Sequence, residues 1–209
     1  MAVVEKPSPH LQYQSLLINI RARYEIINNL HPDANSDFAV LETSAFHMRK
    51  SIEGVAFSCL VALDNGLKQI PKDARGQWNA DKIFAKLSKQ KELVFPESFK
   101  RETPPEGSDP RVSHYIVKRP EINLTVDDVR AIYRRSHKWL HEWNPYVESL
   151  GRDFEKSKAE LLSDLPKIWD WLLQHLIGIG GKVFLGLLKD GPNEEVRVVA
   201  AESANLDEY

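Results

Sequence analysis

Apolar residues recur at the spacing of an amphipathic helix over most of the chain. The pattern covers Leu11 to Asn28, a long segment from near Asp37 to about Asp64, and a short segment that Asn79 can cap. A fourth helix is predicted to start after Thr125, because Thr125 with Asp128 three residues later is typical of a capping box. Four helices are therefore predicted before residue 145.

The spacing of apolar residues changes in the last third of the chain. Helical spacing returns from Val147 to His175, where Pro166 is predicted to break or restart the helix. From Leu176 onward, β-branched and other apolar residues flank a Gly-Pro-Asn turn at 191–193, which predicts a β-hairpin. The Pro-rich connection between the third and fourth helices has at most a brief strand, from Ser113 to Val117.

These elements predict a mainly α fold, a bundle of about five helices with a C-terminal β-hairpin. In this interpretation, residues 1–175 form the helical bundle, residues 176–201 form a hairpin packed on it, and residues 202–209 are a flexible tail.

Composition limits the function classes. The 28 Lys and Arg residues nearly balance 30 Asp and Glu residues, for a formal net charge of -2, so any contact with nucleic acid must use a local basic patch. The single cysteine, Cys59, excludes an intrachain disulfide and favours a reducing cytoplasm. No apolar run approaches the roughly 20 residues that span a bilayer, so we expect no membrane association.

The fourth helix has the clearest candidate chemistry. Arg130, Arg134, His137 and His141 stand at i, i+4, i+7 and i+11, and on a continuous helix they share one face. We call these four residues the basic stripe. The residues predicted to bury the opposite face are Val129, Ile132, Ser136, Leu140 and Trp143.

This combination of side chains suits phosphodiester chemistry. An imidazole that titrates near neutral pH can move a proton, and a guanidinium can grip two phosphate oxygens, so metal-independent RNA cleavage needs little else. The RNA's own 2′-hydroxyl would be the nucleophile. A solvated basic face that binds a nucleotide, a nucleic-acid backbone or an acidic protein partner, without catalysis, is the alternative interpretation.

A metal site is a further alternative. His137 and His141 have the i, i+4 spacing of two zinc ligands on one helix, but Lys138 stands where helical zinc peptidases place a glutamate, and no third ligand is evident. We therefore assign neither a metal nor another cofactor.

The second helix carries charges in the middle of an apolar face. Glu42, Arg49 and Glu53 project within about 40° of each other on a helical wheel. Burying an unpaired ion costs several kcal/mol, so Arg49 is expected to bridge carboxylates or to reach polar groups on a neighbouring helix. The three form either a purely structural network or a layer that supports and positions the basic stripe.

Three segments resemble blocks found in a group of uncharacterised bacterial helical proteins: FHMRKSIEGVAF, YRRSHKWLHEWNPY and HLIGIGGKVFLGLL, within roughly residues 37 to 200. An Arg followed by a His after four to six residues also resembles the signature of HEPN domains (higher eukaryotes and prokaryotes nucleotide-binding). Arg134 or Arg135 with His141, and Arg130 with His137, satisfy this spacing.

The HEPN resemblance implies a helical homodimer that cleaves RNA without metal, in a defence or toxin system with a possible neutralising partner protein. It implies that His141 is the general acid/base and that Arg134 is the phosphate clamp, with Arg135 as the alternate clamp. His137 then supports His141, and Arg130 binds a phosphate.

Overall fold

The computed structural model describes residues 8–64, 79–87, 94–141 and 150–201, which form a layer of helices against an antiparallel sheet. The helices start where the sequence offers caps: Asp37 Oδ1 accepts from the amide of Val40 at 2.9 Å, and Asn79 Oδ1 from that of Lys82 at 3.3 Å. The helices in the described residues are α1 (Pro9–Leu30), α2 (Phe38–Asp64), α3 (Ala80–Leu87), α4 (Val126–His137) and α5 (Leu150–Leu173).

The sheet contains five strands in the order β2-β1-β3-β4-β5, and each neighbouring pair is antiparallel. Helices α1, α2 and α5 contact it. None of the described helices combines the length and apolar character needed to cross a membrane. The strands are β1 (Glu97–Glu102), β2 (Tyr115–Lys118), β3 (Gln174–Ile179), β4 (Lys182–Asp190) and β5 (Glu195–Ala200).

The predicted mainly α fold with only a C-terminal β-hairpin is wrong, because the described chain is mixed α/β with a full sheet. The hairpin is present as β4 and β5, and β2 overlaps the predicted brief strand. The sequence ESFKRE of β1 has Phe99 as its one apolar residue, so it lacks the alternation that indicates a strand. Strand β3 follows α5 without a loop, so the helical spacing of apolar residues did not reveal where the helix ends and the strand begins.

Pro166 lies inside α5 and does not break it. Proline removes one helical hydrogen bond, but its ring is exposed here, and the buried residues Leu165 and Ile168 hold both sides of the helix in the core. Tertiary packing therefore overrides the local preference for a break. The start of this helix at Val147 and the tail at 202–209 were also predicted, and both lie outside the described residues.

A buried histidine joins the helices to the sheet. His175, the second residue of β3, has 0% exposure, and its Nδ1 lies 2.8 Å from the carbonyl oxygen of Leu172. That oxygen only accepts, so Nδ1 carries the proton and Nε2 accepts from the hydroxyl of Tyr13 on α1 at 2.7 Å. Gly186 stands opposite His175 in β4 and leaves room for the imidazole.

Replacing Gly186 with alanine tests this junction. The new Cβ would lie 2.3 Å from His175 Nε2, and the ring is fixed by two hydrogen bonds, so we expect Gly186→Ala to lower the free energy of unfolding by about 1–3 kcal/mol. Urea unfolding measures the change. Val183→Ala, at an exposed position of the same strand, should change it by less than about 0.5 kcal/mol. Equal stability of Gly186→Ala and the parent would contradict the packing described.

The same histidine predicts a pH dependence of stability. Burial lowers the pKa of His175 from 6.5 to about 4, so between these values the unfolded chain binds a proton that the folded chain does not. Stability is complete above about pH 6.5 and falls as the pH drops, by about 2 kcal/mol from pH 7 to pH 5. Urea unfolding of the parent and of His175→Gln at both pH values measures this. An equally steep loss in both proteins would show that other groups cause it.

Candidate functional site

Helix α4 begins as the sequence predicts. The Thr125 hydroxyl accepts from the amide of Asp128 at 3.1 Å, and the amide of Thr125 donates to the Asp128 carboxylate at 2.9 Å, which completes a capping box. Val129, Ile132 and Ser136 are buried, as predicted for the face opposite the basic stripe, whereas Leu140 is only half-buried. Trp143 lies outside the described residues.

The helix ends earlier than the stripe requires. Helix α4 stops at His137, Lys138–Leu140 form a 3-10 turn, and His141 has extended backbone. The tighter turn directs Trp139 into the core, where its ring lies 5.8 Å from both the Phe38 and Phe154 rings, so this tryptophan packs and is not available to stack on bases. The basic stripe is therefore not one continuous helical face.

The two histidines of the stripe nevertheless meet. Their Nε2 atoms lie 2.9 Å apart and their ring centroids 4.4 Å apart, and both residues are exposed. Only one of the two nitrogens can carry the proton in this contact. Partial desolvation of the imidazole, then the charges of Arg49 and His141, lower the pKa of His137, which favours its neutral form at neutral pH.

Arg130 and Arg134 share one carboxylate, Asp81 at the start of α3. Arg130 Nε lies 2.9 Å from Asp81 Oδ1, and Arg134 Nη2 lies 2.9 Å from the same oxygen. Desolvation raises the pKa of Asp81, but the hydrogen bonds from both guanidinium groups outweigh it and hold the pKa below its ordinary value. Arg130 also contacts Asp127, whereas the Arg134 side chain stays 61% exposed.

Arg135 points away from the histidines. Its Nε and Nη2 donate to the two oxygens of Asp164 on α5 at 2.8 and 2.9 Å, and the Asp164 side chain is only 3% exposed. A bidentate pair at this depth holds α4 against α5. Arg135 stays a predicted alternate phosphate clamp, and in this structure two of its guanidinium nitrogens are bonded to Asp164.

Arg49 and Glu53 are buried between α2 and α4, where Tyr133 joins them. Arg49 Nη2 donates to the Tyr133 hydroxyl at 2.6 Å, and this hydroxyl donates to Glu53 Oε1 at 3.2 Å. Burial raises the pKa of Tyr133 to about 12, so the hydroxyl keeps its proton. The Glu53 carboxylate also forms a salt bridge with Lys50 Nζ at 2.7 Å. Glu42, which was predicted to share this layer, is an exposed residue nearer the start of α2.

Sequence reasoning missed three partners that define the site: Asp81, Tyr133 and Asp164. The two aspartates lie 49 and 29 residues from Arg130 and Arg135, so no local spacing indicates the ion pairs. Tyr133 had a usable signal, because it lies one turn before His137 on α4. Among the described residues, no group of three or more His, Cys, Asp or Glu side chains is arranged to hold a metal ion.

No protein-family model, curated protein or solved structure matches this chain. The likeness to HEPN domains is therefore still a prediction from the sequence.

The arginines of α4 should differ in their effect on stability. Arg135→Gln leaves Asp164 buried without its bidentate partner, so we expect the free energy of unfolding to fall by about 2 kcal/mol or more. Arg134→Gln removes an exposed ion pair and should cost less than about 1 kcal/mol. Chemical denaturation of both variants measures the difference. Similar losses would show that Asp164 does not depend on Arg135.

Proposed function

We propose that the protein is a metal-independent endoribonuclease of HEPN type in which His137 and His141 act as an acid–base pair. The observation that supports this most directly is the 2.9 Å contact between their Nε2 atoms at an exposed position. When the two rings separate to admit a phosphodiester between them, one imidazole can take a proton while the other supplies one.

In this reaction the 2′-oxygen of the RNA attacks the adjacent phosphorus and the bond from phosphorus to the 5′-oxygen breaks. His137, whose lowered pKa favours the neutral base, takes the proton of the 2′-hydroxyl. His141 donates a proton to the departing 5′-oxygen. The products are a 2′,3′-cyclic phosphate and a 5′-hydroxyl, and no metal or redox partner is needed to balance the step.

The arginines hold the RNA backbone in this proposal. Arg134 pairs with Asp81 at an exposed position, where an ion pair contributes little, so a phosphate can replace the carboxylate at small cost. Arg130 has two carboxylate partners and contributes less. A homodimer and a role in a defence or toxin system with a neutralising partner belong to the same proposal and rest on the HEPN resemblance. The proposed cytoplasmic location rests on the single cysteine, Cys59.

A second candidate function is a non-catalytic domain that binds a nucleotide, a nucleic-acid backbone or an acidic protein. The observation that favours it is the use of carboxylates: Arg130, Arg134 and Arg135 all have acidic partners within the chain. Guanidinium groups that pair with carboxylates of the same chain serve the fold, which leaves fewer charges on α4 for catalysis. Binding without cleavage distinguishes this candidate from the first.

The test is cleavage of a labelled single-stranded RNA in excess chelator. We expect the parent protein to produce 2′,3′-cyclic phosphate ends, and His137→Ala and His141→Ala each to lower the rate by about 10²-fold or more. His114→Ala, an exposed histidine just before β2, is the matched control and should cleave at the parent rate.

Three results would overturn the ribonuclease proposal. Intact RNA with measurable binding would favour the second candidate. Cleavage that persists in both histidine variants would place the chemistry elsewhere or in a contaminant. Cleavage that appears only when a divalent metal is returned would replace the acid–base pair with a metal mechanism.

A further inference from the structure

The charges between α2 and α4 do not balance. Arg49 Nε lies 3.4 Å from Glu53, and Lys50 Nζ lies 2.7 Å from the same carboxylate, so two positive groups share one negative group. Tyr133 is uncharged because burial raises its pKa. The cluster of Arg49, Lys50, Glu53 and Tyr133 therefore carries one excess positive charge, beside the histidine pair.

One donor of this cluster is also left over. Arg49 is 9% exposed, and its Nη1 is shielded from solvent and has no hydrogen-bond partner among the described residues. Leaving a buried donor unpaired costs about 1–3 kcal/mol, more for a charged group, and folded chains satisfy nearly all such groups. An anion that accepts a hydrogen bond from Nη1 would supply the missing partner and balance the excess positive charge.

We propose that Arg49 binds a phosphate group of the ligand through Nη1, next to the His137–His141 pair. The proposal deepens the ribonuclease function, and its relevance to cleavage rests on that function. It adds a phosphate contact on α2 to those proposed for Arg134 and Arg130 on α4.

The comparison with α4 supports this assignment. Two nitrogens of Arg135 donate to Asp164, and Arg130 and Arg134 share Asp81, so a carboxylate competes with a phosphate at each of these arginines. Arg49 Nη1 has no carboxylate to release within the described part of the chain, so a phosphate there competes with no existing ion pair of that nitrogen. A hydrogen bond formed there is also stronger than one at the surface, since the local dielectric constant is lower.

The position of Arg49 links this phosphate to the acid–base pair. Tyr133, which accepts from Arg49, lies one helical turn before His137, and the pKa of His137 is lowered first by desolvation and then by the Arg49 charge. Since Nη1 is shielded, the phosphate reaches it by a local opening between the neighbouring side chains. Binding should therefore change the NMR signals of His137 together with that of Arg49 Nε.

The experiment is an NMR titration of the intact protein with inorganic phosphate, with ATP and with a single-stranded DNA decamer. DNA lacks the 2′-hydroxyl and is not cleaved by the proposed route, so binding is measured separately from catalysis. Saturable shifts at Arg49 and His137 support the proposal. Tighter binding of the decamer than of ATP identifies a nucleic-acid backbone as the source of the phosphate, and the reverse identifies a nucleotide.

Two variants distinguish a hydrogen bond from Arg49 Nη1 from a general effect of positive charge on phosphate binding. Arg49→Lys keeps the positive charge but removes Nη1, and we expect it to weaken phosphate binding by about tenfold. Lys138→Gln, at an exposed residue directly after His137, removes a charge but leaves Nη1, and should change binding by less than about threefold. The opposite order of these effects, or no saturable binding to the parent, would overturn the proposal.

Glu53→Gln provides a test with the opposite sign. This variant removes the carboxylate that partly neutralises Arg49, so phosphate should bind more tightly by about threefold or more. A purely structural role of Arg49 predicts no gain. The result also decides the question if Arg49→Lys does not fold. Phosphate binding without RNA cleavage would leave this inference intact and reject only the ribonuclease activity.

Discussion

The contact of Arg49 with Tyr133 across the interface between α2 and α4 is the constraint on which the candidate site depends. A guanidinium taken out of water needs partners, and Tyr133 supplies an acceptor at 2.6 Å while its ring lies 4.0 Å from the guanidinium carbon. Together with the buried Val129 and Ile132, this contact turns one face of α4 toward α2. This orientation in turn decides which α4 side chains face α3, which face α5, and which are exposed beside His141.

Neighbouring carboxylates, and not the spacing of residues, decide what each arginine does. Arg134 and Arg135 are adjacent in sequence and fit the same loose signature, yet one is an exposed partner of Asp81 and the other is locked on Asp164. The separation between an arginine and a histidine carries no information about these partners. A signature of this kind therefore indicates a region of interest, and only the packing of three helices distinguishes its members.

The sequence was sufficient where local physics decides the outcome. The helical spacing of α1 and α2, the capping box at Thr125 and the β4–β5 hairpin all depend on residues close in the chain. It was insufficient for β1, which is a strand because it pairs with β2 and β3 and not because of its own apolar pattern. The site divides in the same way: the pairing of His137 with His141 follows from adjacent turns, whereas Asp81 and Asp164 arrive from distant segments.

The hydrogen bond between Tyr13 and His175 has a consequence for biosynthesis. Its two residues are separated by 162 positions, and β3 must pair with β1 and β4 before the imidazole is enclosed. Contacts between remote segments form late, since the entropy of closing the intervening loop opposes them. While the ribosome is still making the chain, α1 can pair with α2 but has no sheet to cover. The enclosed Tyr13–His175 contact therefore arises only after the residues of β4 have emerged.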